Sequence, residues 1–256
     1  MTAPPVQLTR EVRFQLPTHS ILPDERIRNS WAGWPKTETL APFVTVRITV
    51  AGPVLDSGFI ADVKTLDRLV RDSCLSALIQ AEEGGGSNRA VALFGLVAGA
   101  VPDGTSLTGL ELCTTPFQSF AVDAEEPTMA ILTHQFEFSA AHRLHCDDLS
   151  DEENRELFGK CNNPNGHGHN YVVQVSVDRD PAANFSLIEF EQTVCQHAIE
   201  PFDHKHLNVD VPDFASLNPT VENIAGVVWN RLEPHVDGLR GVRIYETAKT
   251  WAEVGR

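Results

Sequence analysis

Two segments of alternating apolar residues recur at one fixed separation. Phe43-Val-Thr-Val-Arg-Ile-Thr-Val50 and Tyr171-Val-Val-Gln-Val-Ser-Val177 each read as a half-buried strand, and their ends, Val50 and Val177, lie 127 residues apart. The same 127 residues separate Asp62, in Phe59-Ile-Ala-Asp-Val63, from Glu189, in Ser186-Leu-Ile-Glu-Phe190. A spacing kept twice predicts an internal duplication, so the chain has to fold as two similar units in tandem. The polar, proline-containing stretch from Val122 to Met129 reads as the linker between strand-like Leu110–Phe120 and Ile131–Ala141. It divides the 256 residues into 1–128 and 129–256, each long enough to bury its own core.

Within each half the strands give way to helical periodicity. Leu66, Leu69, Val70, Cys74, Ala77 and Leu78 form an apolar stripe, and Phe190, Val194 and Ile199 do so less regularly. Second helices are predicted over Ala90–Val101 and from Asn218 as N-cap, with Pro219 in the first position and Val221, Ile224, Ala225, Val228 and Leu232 as the buried stripe. Final strands follow at Gly109–Phe120 and Gly241–Trp251. The repeated order is strand, strand, helix, helix, strand, strand, which predicts an α+β fold: two units, each an antiparallel four-stranded sheet with two helices packed on one face. Gly84-Gly-Gly-Ser-Asn88 reads as a flexible link between helices; it lacks the strand-to-helix context of a phosphate-cradling loop.

A formal net charge of −15 excludes general binding to nucleic acid, and an anionic substrate would have to meet locally placed cations. The apolar run from Ala90 to Val101 is too short to cross a bilayer, and Met1–Gln15 lacks the pattern of a secretory signal. The five cysteines are scattered and form no C-x-x-C, which predicts neither disulfides nor a thiolate cage, and most should be small core residues. A cytoplasmic protein is expected.

Chemistry gathers in the second half. His167-Gly-His169 opens the strand Asn170–Val177, and residues two apart on a strand share a face, so both imidazoles can meet one ion. His142 ends the preceding strand, Gln135–Ala141, and antiparallel pairing brings it close. Three histidines with a fourth position open describe a catalytic zinc site. Taken alone, His-Gly-His also reads as a solvated turn and His142 as a strand-end residue. Ser150-Asp-Glu-Glu153 predicts a capping box for a short helix through Phe158 that Gly159 terminates, which leaves Cys161 in a loop ahead of the turn Asn162-Asn-Pro-Asn-Gly166.

Phe138-Ser-Ala-Ala-His-Arg-Leu144 and Leu157-Phe-Gly-Lys-Cys-Asn-Asn-Pro-Asn-Gly-His-Gly-His-Asn-Tyr171, followed by Pro201-Phe-Asp-His-Lys-His-Leu207, Pro219-Thr-Val-Glu-Asn223 and Tyr245-Glu-Thr247, closely resemble the 6-pyruvoyl-tetrahydropterin synthase family. The resemblance spans about residues 131–250. It implies zinc held by His142, His167 and His169, proton abstraction by Cys161, and a triad completed by Asp203 and His204. Glu222 would anchor the pterin ring, with Thr220 beside it, and Glu246 would serve in relay or ring binding. It further implies the tunnelling fold, in which units associate into β-barrels with active sites between units, and hence a homo-oligomer. The implied reaction turns 7,8-dihydroneopterin triphosphate into 6-pyruvoyl-tetrahydropterin with loss of triphosphate. Alternatives are 6-carboxytetrahydropterin formation in queuosine biosynthesis, a non-catalytic pterin- or purine-binding module that keeps a metal site, and a purely structural zinc protein.

The chemistry is self-consistent. Zinc on three neutral imidazoles keeps its charge and acidifies a C–H beside a coordinated oxygen. A thiolate takes up that proton, and a nearby cation and histidine favour the thiolate. Asp203 can orient His204 and stabilise its protonated form. A carboxylate suits a pterin because it accepts two hydrogen bonds from the ring edge. Read singly, Cys161 as a buried thiol, Asp203-His-Lys as a loop and Glu222 as a first-turn helix acid are equally ordinary. Lys160, Arg143 and Lys205 are the nearest cations for triphosphate. The first half has neither His-Gly-His nor Asp-His-Lys, His19 stands alone, and Thr114 takes the place of Glu246, so that half is expected to be a scaffold. Asn184-Phe-Ser-Leu-Ile188 departs from the family's Gly-Met-Val, and Val221 from its usual hydroxyl residue.

Overall fold

A computed structural model describes residues 6–16, 29, 31–38, 40–80 and 85–256; His19 and Gly84 lie outside them. The chain divides into two compact units, residues 1–132 with 178–184, and residues 133–177 with 185–256.

The first unit contains β1 (Val6–Gln15), β2 (Phe43–Gly52), α1 (Val63–Ile79), α2 (Gly86–Ala98), β3 (Ser106–Thr115) and β4 (Gln118–Asp123). Its strands run antiparallel in the order β1-β2-β3-β4. Alternation decides which face is covered: Val44, Val46, Ile48 and Val50 of β2 are buried together with Leu66, Val70, Cys74 and Leu78 of α1. Asp62 caps α1 by accepting from the backbone N–H groups of Lys64 and Thr65. On the polar side Arg47 bridges Glu11 at 2.8 Å and Glu111 at 2.7 Å.

The second unit comprises most of β5 (Ala130–His142) and β6 (His167–Arg179), with α3 (Asp151–Phe158) between them. It continues through α4 (Leu187–Val194), β7 (Lys205–His206), α5 (Leu207–Asp210), α6 (Val221–Leu232), β8 (Leu239–Thr247) and β9 (Thr250–Gly255). The strand order is β5-β6-β8-β9, with β6, β8 and β9 antiparallel. α6 buries Val221, Ile224, Ala225, Val228 and Leu232, the stripe its periodicity predicts.

The α+β class with an antiparallel sheet agrees with the sequence pattern; several details differ. Besides the two helices expected on the sheet and the short helix predicted from Ser150 to Phe158, the second unit carries the four-residue α5, and two-residue β7 pairs parallel to β5. Each predicted final strand is a hairpin. The first breaks at Pro116-Phe117, where proline has no N–H for the ladder, and the second at Ala248-Lys249. Gly86, Ser87 and Asn88 lie in α2, not in a link, and that helix ends at Ala98. Thr220, not Asn218, caps α6, because its side chain accepts from Asn223 N–H while Asn218 Oδ1 accepts from His145 N–H. The weak periodicity after Phe190 has a cause: Cys195–Ile199 form a π-turn, which shifts the apolar phase. Asp62 and Glu189, the pair 127 residues apart, differ in role: Asp62 caps α1, whereas Glu189 lies in the first turn of α4, which Ser186 caps. Of the five cysteines, all free, only Cys74 is buried, and burial pushes its thiol up to about 12. Among the described residues no helix is long and apolar enough to cross a membrane.

Leu66 and Leu69 look alike in the pattern, yet only Leu66 is buried. Leu66→Ala should destabilise the chain by about 2–5 kcal/mol, as core truncations do. Leu69→Ala should cost at most about 1 kcal/mol. Urea unfolding midpoints of the two variants check the difference, and equal shifts would refute this placement of α1.

Candidate active site

His142 closes β5, and His167 and His169 open β6, so neighbouring strands deliver all three imidazoles to one place. Their ligand nitrogens all lie within 4.8 Å of one another, and the ring centroids are 4.5–5.2 Å apart. His142 is fully buried and donates from Nδ1 to the carbonyl of Pro219 at 2.7 Å. That bond fixes the tautomer and leaves the Nε2 lone pair facing His167 Nε2, 3.1 Å away. Burial pushes the His142 pKa down to about 4, against the Pro219 bond and with His167 and His169 adding to the fall. His167 is lowered as well, first by burial and then by His169. Neutral imidazoles are the form a metal needs.

His169 Nε2 is buried without a hydrogen-bond partner among the described residues. An orphaned buried nitrogen is costly, and here it belongs to a cluster whose lone pairs converge. The donor set therefore fits a divalent metal ion held by three imidazole nitrogens. Glu246, on β8, comes closer than the sequence implies: its Oε1 is 3.4 Å from His142 Nε2 and 3.7 Å from His169 Nε2. Gly166, with φ +71, lets the turn ahead of β6 pass close to the end of β5: a Cβ there would lie 2.7 Å from His206 Nε2 and 3.0 Å from the His142 carbonyl oxygen.

Two cavities open beside the cluster. One, of about 940 Å³, is lined by Cys161, His167, Arg143, Lys160 and Arg155 among others. The other, of about 530 Å³, is lined by His169, His204, Lys205 and His206 with the adjoining backbone of β5 and β6. Cys161 sits in a single 3-10 turn, Gly159–Asn162, which follows α3 after the predicted capping box at Ser150 and the stop at Gly159.

Asp203 and His204 are fastened to β5. Asp203 accepts from Ser139 N–H at 2.9 Å and from His204 Nδ1 at 2.8 Å, and the Ser139 bond first, then His204, holds its carboxyl below the usual range. His204 donates its own N–H to the Ser139 carbonyl and adopts φ +56, a conformation rare outside glycine, with its side chain 83% exposed. Cys161 and His204 thus open onto different cavities of the same unit. Glu222, exposed in the first turn of α6, and Thr220, its cap, line neither cavity.

Four residues near the site escaped the sequence reading: Arg155, Asn154, Asn162 and His206. Arg155 looks like any exposed helix charge. Asn154 and Asn162 are buried, but Asn162 belongs to a run that reads as a plain turn. His206 had the signal of standing two residues after His204.

Residues 131–256 match the family model described as 6-pyruvoyl tetrahydropterin synthase. The chain is 46% identical over 124 residues to 6-pyruvoyl tetrahydrobiopterin synthase of Homo sapiens, covering 46% of this chain and 86% of that protein. It is 41% identical over 128 residues to the enzyme of that name from Drosophila melanogaster, covering 47% and 76%. The solved structure of Caenorhabditis elegans 6-pyruvoyl tetrahydropterin synthase is 35% identical, covers 50% of this chain and 96% of its own, and superposes with a TM-score of 0.47.

Two outcomes are expected. His169→Ala should lower the divalent metal retained at equal free zinc by more than about tenfold, the loss of a ligand exceeding that of an outer partner; elemental analysis measures it. The metal-free protein should lose stability as pH falls from 6.5 towards about 4, because in that window His142 is protonated when unfolded and neutral when folded, so unfolding takes up a proton. A urea midpoint that stays flat across the window would contradict the burial of a neutral His142.

Proposed function

The chain belongs to the 6-pyruvoyl tetrahydropterin synthase family, and on that premise we propose that residues 129–256 are a lyase unit that converts 7,8-dihydroneopterin triphosphate to 6-pyruvoyl-tetrahydropterin, eliminating triphosphate. No external hydride donor is needed, because the rest of the change is an internal redox tautomerisation. The observation that carries the reading is the convergence of His142, His167 and His169 beside a cavity that also holds Cys161 and three cations.

His142, His167 and His169 would hold zinc, which when bound acts as a Lewis acid towards the side-chain oxygens of the substrate and acidifies the neighbouring C–H. Cys161, on the same cavity as His167, takes that proton as thiolate. Asp203 holds His204 through Nδ1, so its Nε2 is left to exchange a proton with the substrate side chain. Glu222 and Thr220 anchor the pterin. Glu246, within 3.7 Å of two ligand nitrogens, restricts how the substrate approaches them and contributes to ring binding or proton relay. Lys160 and Arg155 face the Cys161 cavity and supply the positive charge that triphosphate requires in an acidic chain. Lys205 lies on the other cavity.

The opening of Cys161 and His204 onto different cavities supports an active site completed by two copies of the chain. We read the chain as two tandem tunnelling-fold units, a degenerate structural repeat over 1–128 and the catalytic domain over 129–256, in a cytoplasmic homo-oligomer closed as a barrel. β1 ends the strand order of the first unit and β9 that of the second; among the described residues β9 has no outer strand, whereas Trp34 bridges the end of β1 at Arg13–Gln15, so β9 is the edge offered to another copy.

The test is triphosphate release from dihydroneopterin triphosphate with and without a chelator, with the pterin product identified by mass. Chelation should abolish release, and Cys161→Ala should slow it by at least about a hundredfold, the usual worth of a positioned base. Cys161→Ala and His204→Ala proteins, each inactive, should regain activity when dissociated together and reassembled. Full activity of Cys161→Ala would overturn the assignment of the thiol.

A further inference from the structure

Cys161 has little local support. It is half-buried in a single 3-10 turn, a form too short to be rigid by itself, and its backbone carbonyl accepts from Leu144 N–H at 2.9 Å. The next residue is different in kind. Asn162 is only 7% exposed, and every hydrogen-bonding group of its side chain is engaged. Oδ1 accepts from Arg143 Nη2 at 3.1 Å; Nδ2 donates to the Leu144 carbonyl at 3.0 Å and to His145 Nδ1 at 3.1 Å. Its backbone carbonyl accepts from Arg143 Nε at 3.3 Å. Arg143 Nη2 also reaches His145 Nδ1 at 3.2 Å. Facing two donors, His145 Nδ1 can only be the acceptor, which puts the ring proton on Nε2.

Arg143, Leu144 and His145 are the three residues that follow the metal-cluster histidine at 142. The network therefore joins the residue after the thiol to the strand exit after that histidine. A general need to close the surface loop does not explain it. That task falls to Asn154, which bonds both the N–H and the carbonyl of Cys146 and the carbonyls of Leu149 and Ser150. Nor is Arg143 free for phosphate alone, since two of its three guanidinium nitrogens are spent on Asn162 and His145.

We propose that Asn162, braced by His145 and Arg143, is a positioning residue that holds the Cys161 thiol in register with His142. This rests on the reading of Cys161 as the base. A positioning role predicts a loss in turnover and not in binding, since a displacement of about 1 Å at a reacting group can cost about a hundredfold in rate.

Asn162→Asp keeps the acceptor for Arg143 and loses the two donated bonds, and Asn162→Ala loses all three side-chain bonds. Both should lower kcat by about 10- to 100-fold with KM within about threefold, and both should change the pH profile of Cys161 alkylation by iodoacetamide, read peptide by peptide in the full chain. His145→Gln, which restores an acceptor for the two donors, should recover more of kcat than His145→Ala. Retained zinc and an unshifted unfolding midpoint in Asn162→Asp identify a variant that still folds. An unchanged Cys161 profile with unchanged kcat in that variant overturns the proposal, as does a rise in KM alone. The alkylation profile needs no pterin turnover: if it changes while the wild-type chain releases no triphosphate, the clamp stands and the enzymatic reading fails.

Discussion

The bond from His142 Nδ1 to the Pro219 carbonyl is the contact on which the rest of the second unit is organised. It is buried, short and made by groups from two distant parts of the sequence, the end of β5 and the entry to α6. Its donor can carry only one proton at Nδ1 if the ring is neutral, and burial keeps the ring neutral. The tautomer is therefore settled by the fold, and with it the direction of the lone pair that meets His167. Proline suits the accepting position: it has no N–H to satisfy, and Thr220 next to it starts the helix with its own side chain.

From that fixed nitrogen the geometry spreads along β6. Residues 167 and 169 share a face, but two strand steps put about 7 Å between their Cα atoms. That distance is enough for one imidazole to border the cavity of Cys161 and the other the cavity of His204. Acid-base groups of different kinds can then flank one cluster without touching each other. Glu246 enters from β8 on the far side of β6, so three strands of the sheet contribute to the site.

Much of this was legible in residues 131–250 because motif and periodicity agree there. His-Gly-His on an alternating strand dictates a shared face, Ser150 with Glu153 dictates a helix start, and Gly159 a stop; each is local chemistry, and each appears in the structure. The sequence pattern puts the cap of α6 two residues early because Asn218 and Thr220 are both good caps, and only tertiary contacts, His145 on Asn218 and His142 on Pro219, decide between them. β7 has no pattern of its own: two residues pair with β5 because Asp203 and His204 are already tied there. The buried asparagines were illegible for the opposite reason. Asn162 sits in a run of turn formers, and nothing in its neighbours along the chain announces that Arg143 and His145 will enclose it.

Asp203 and His204 are both bonded to the backbone of a single residue, Ser139. The segment leading into them contains the π-turn at Cys195–Ile199, a place where the helix has already absorbed one residue out of phase. The dyad thus takes its coordinates from the sheet as well as from the chain that delivers it, where the Asp203 N–H donates to the Ile199 carbonyl at the end of the π-turn. Lengthening or shortening that approach by a residue is a change the helix end can swallow, which leaves this stretch open to evolutionary drift while the imidazole stays where it was.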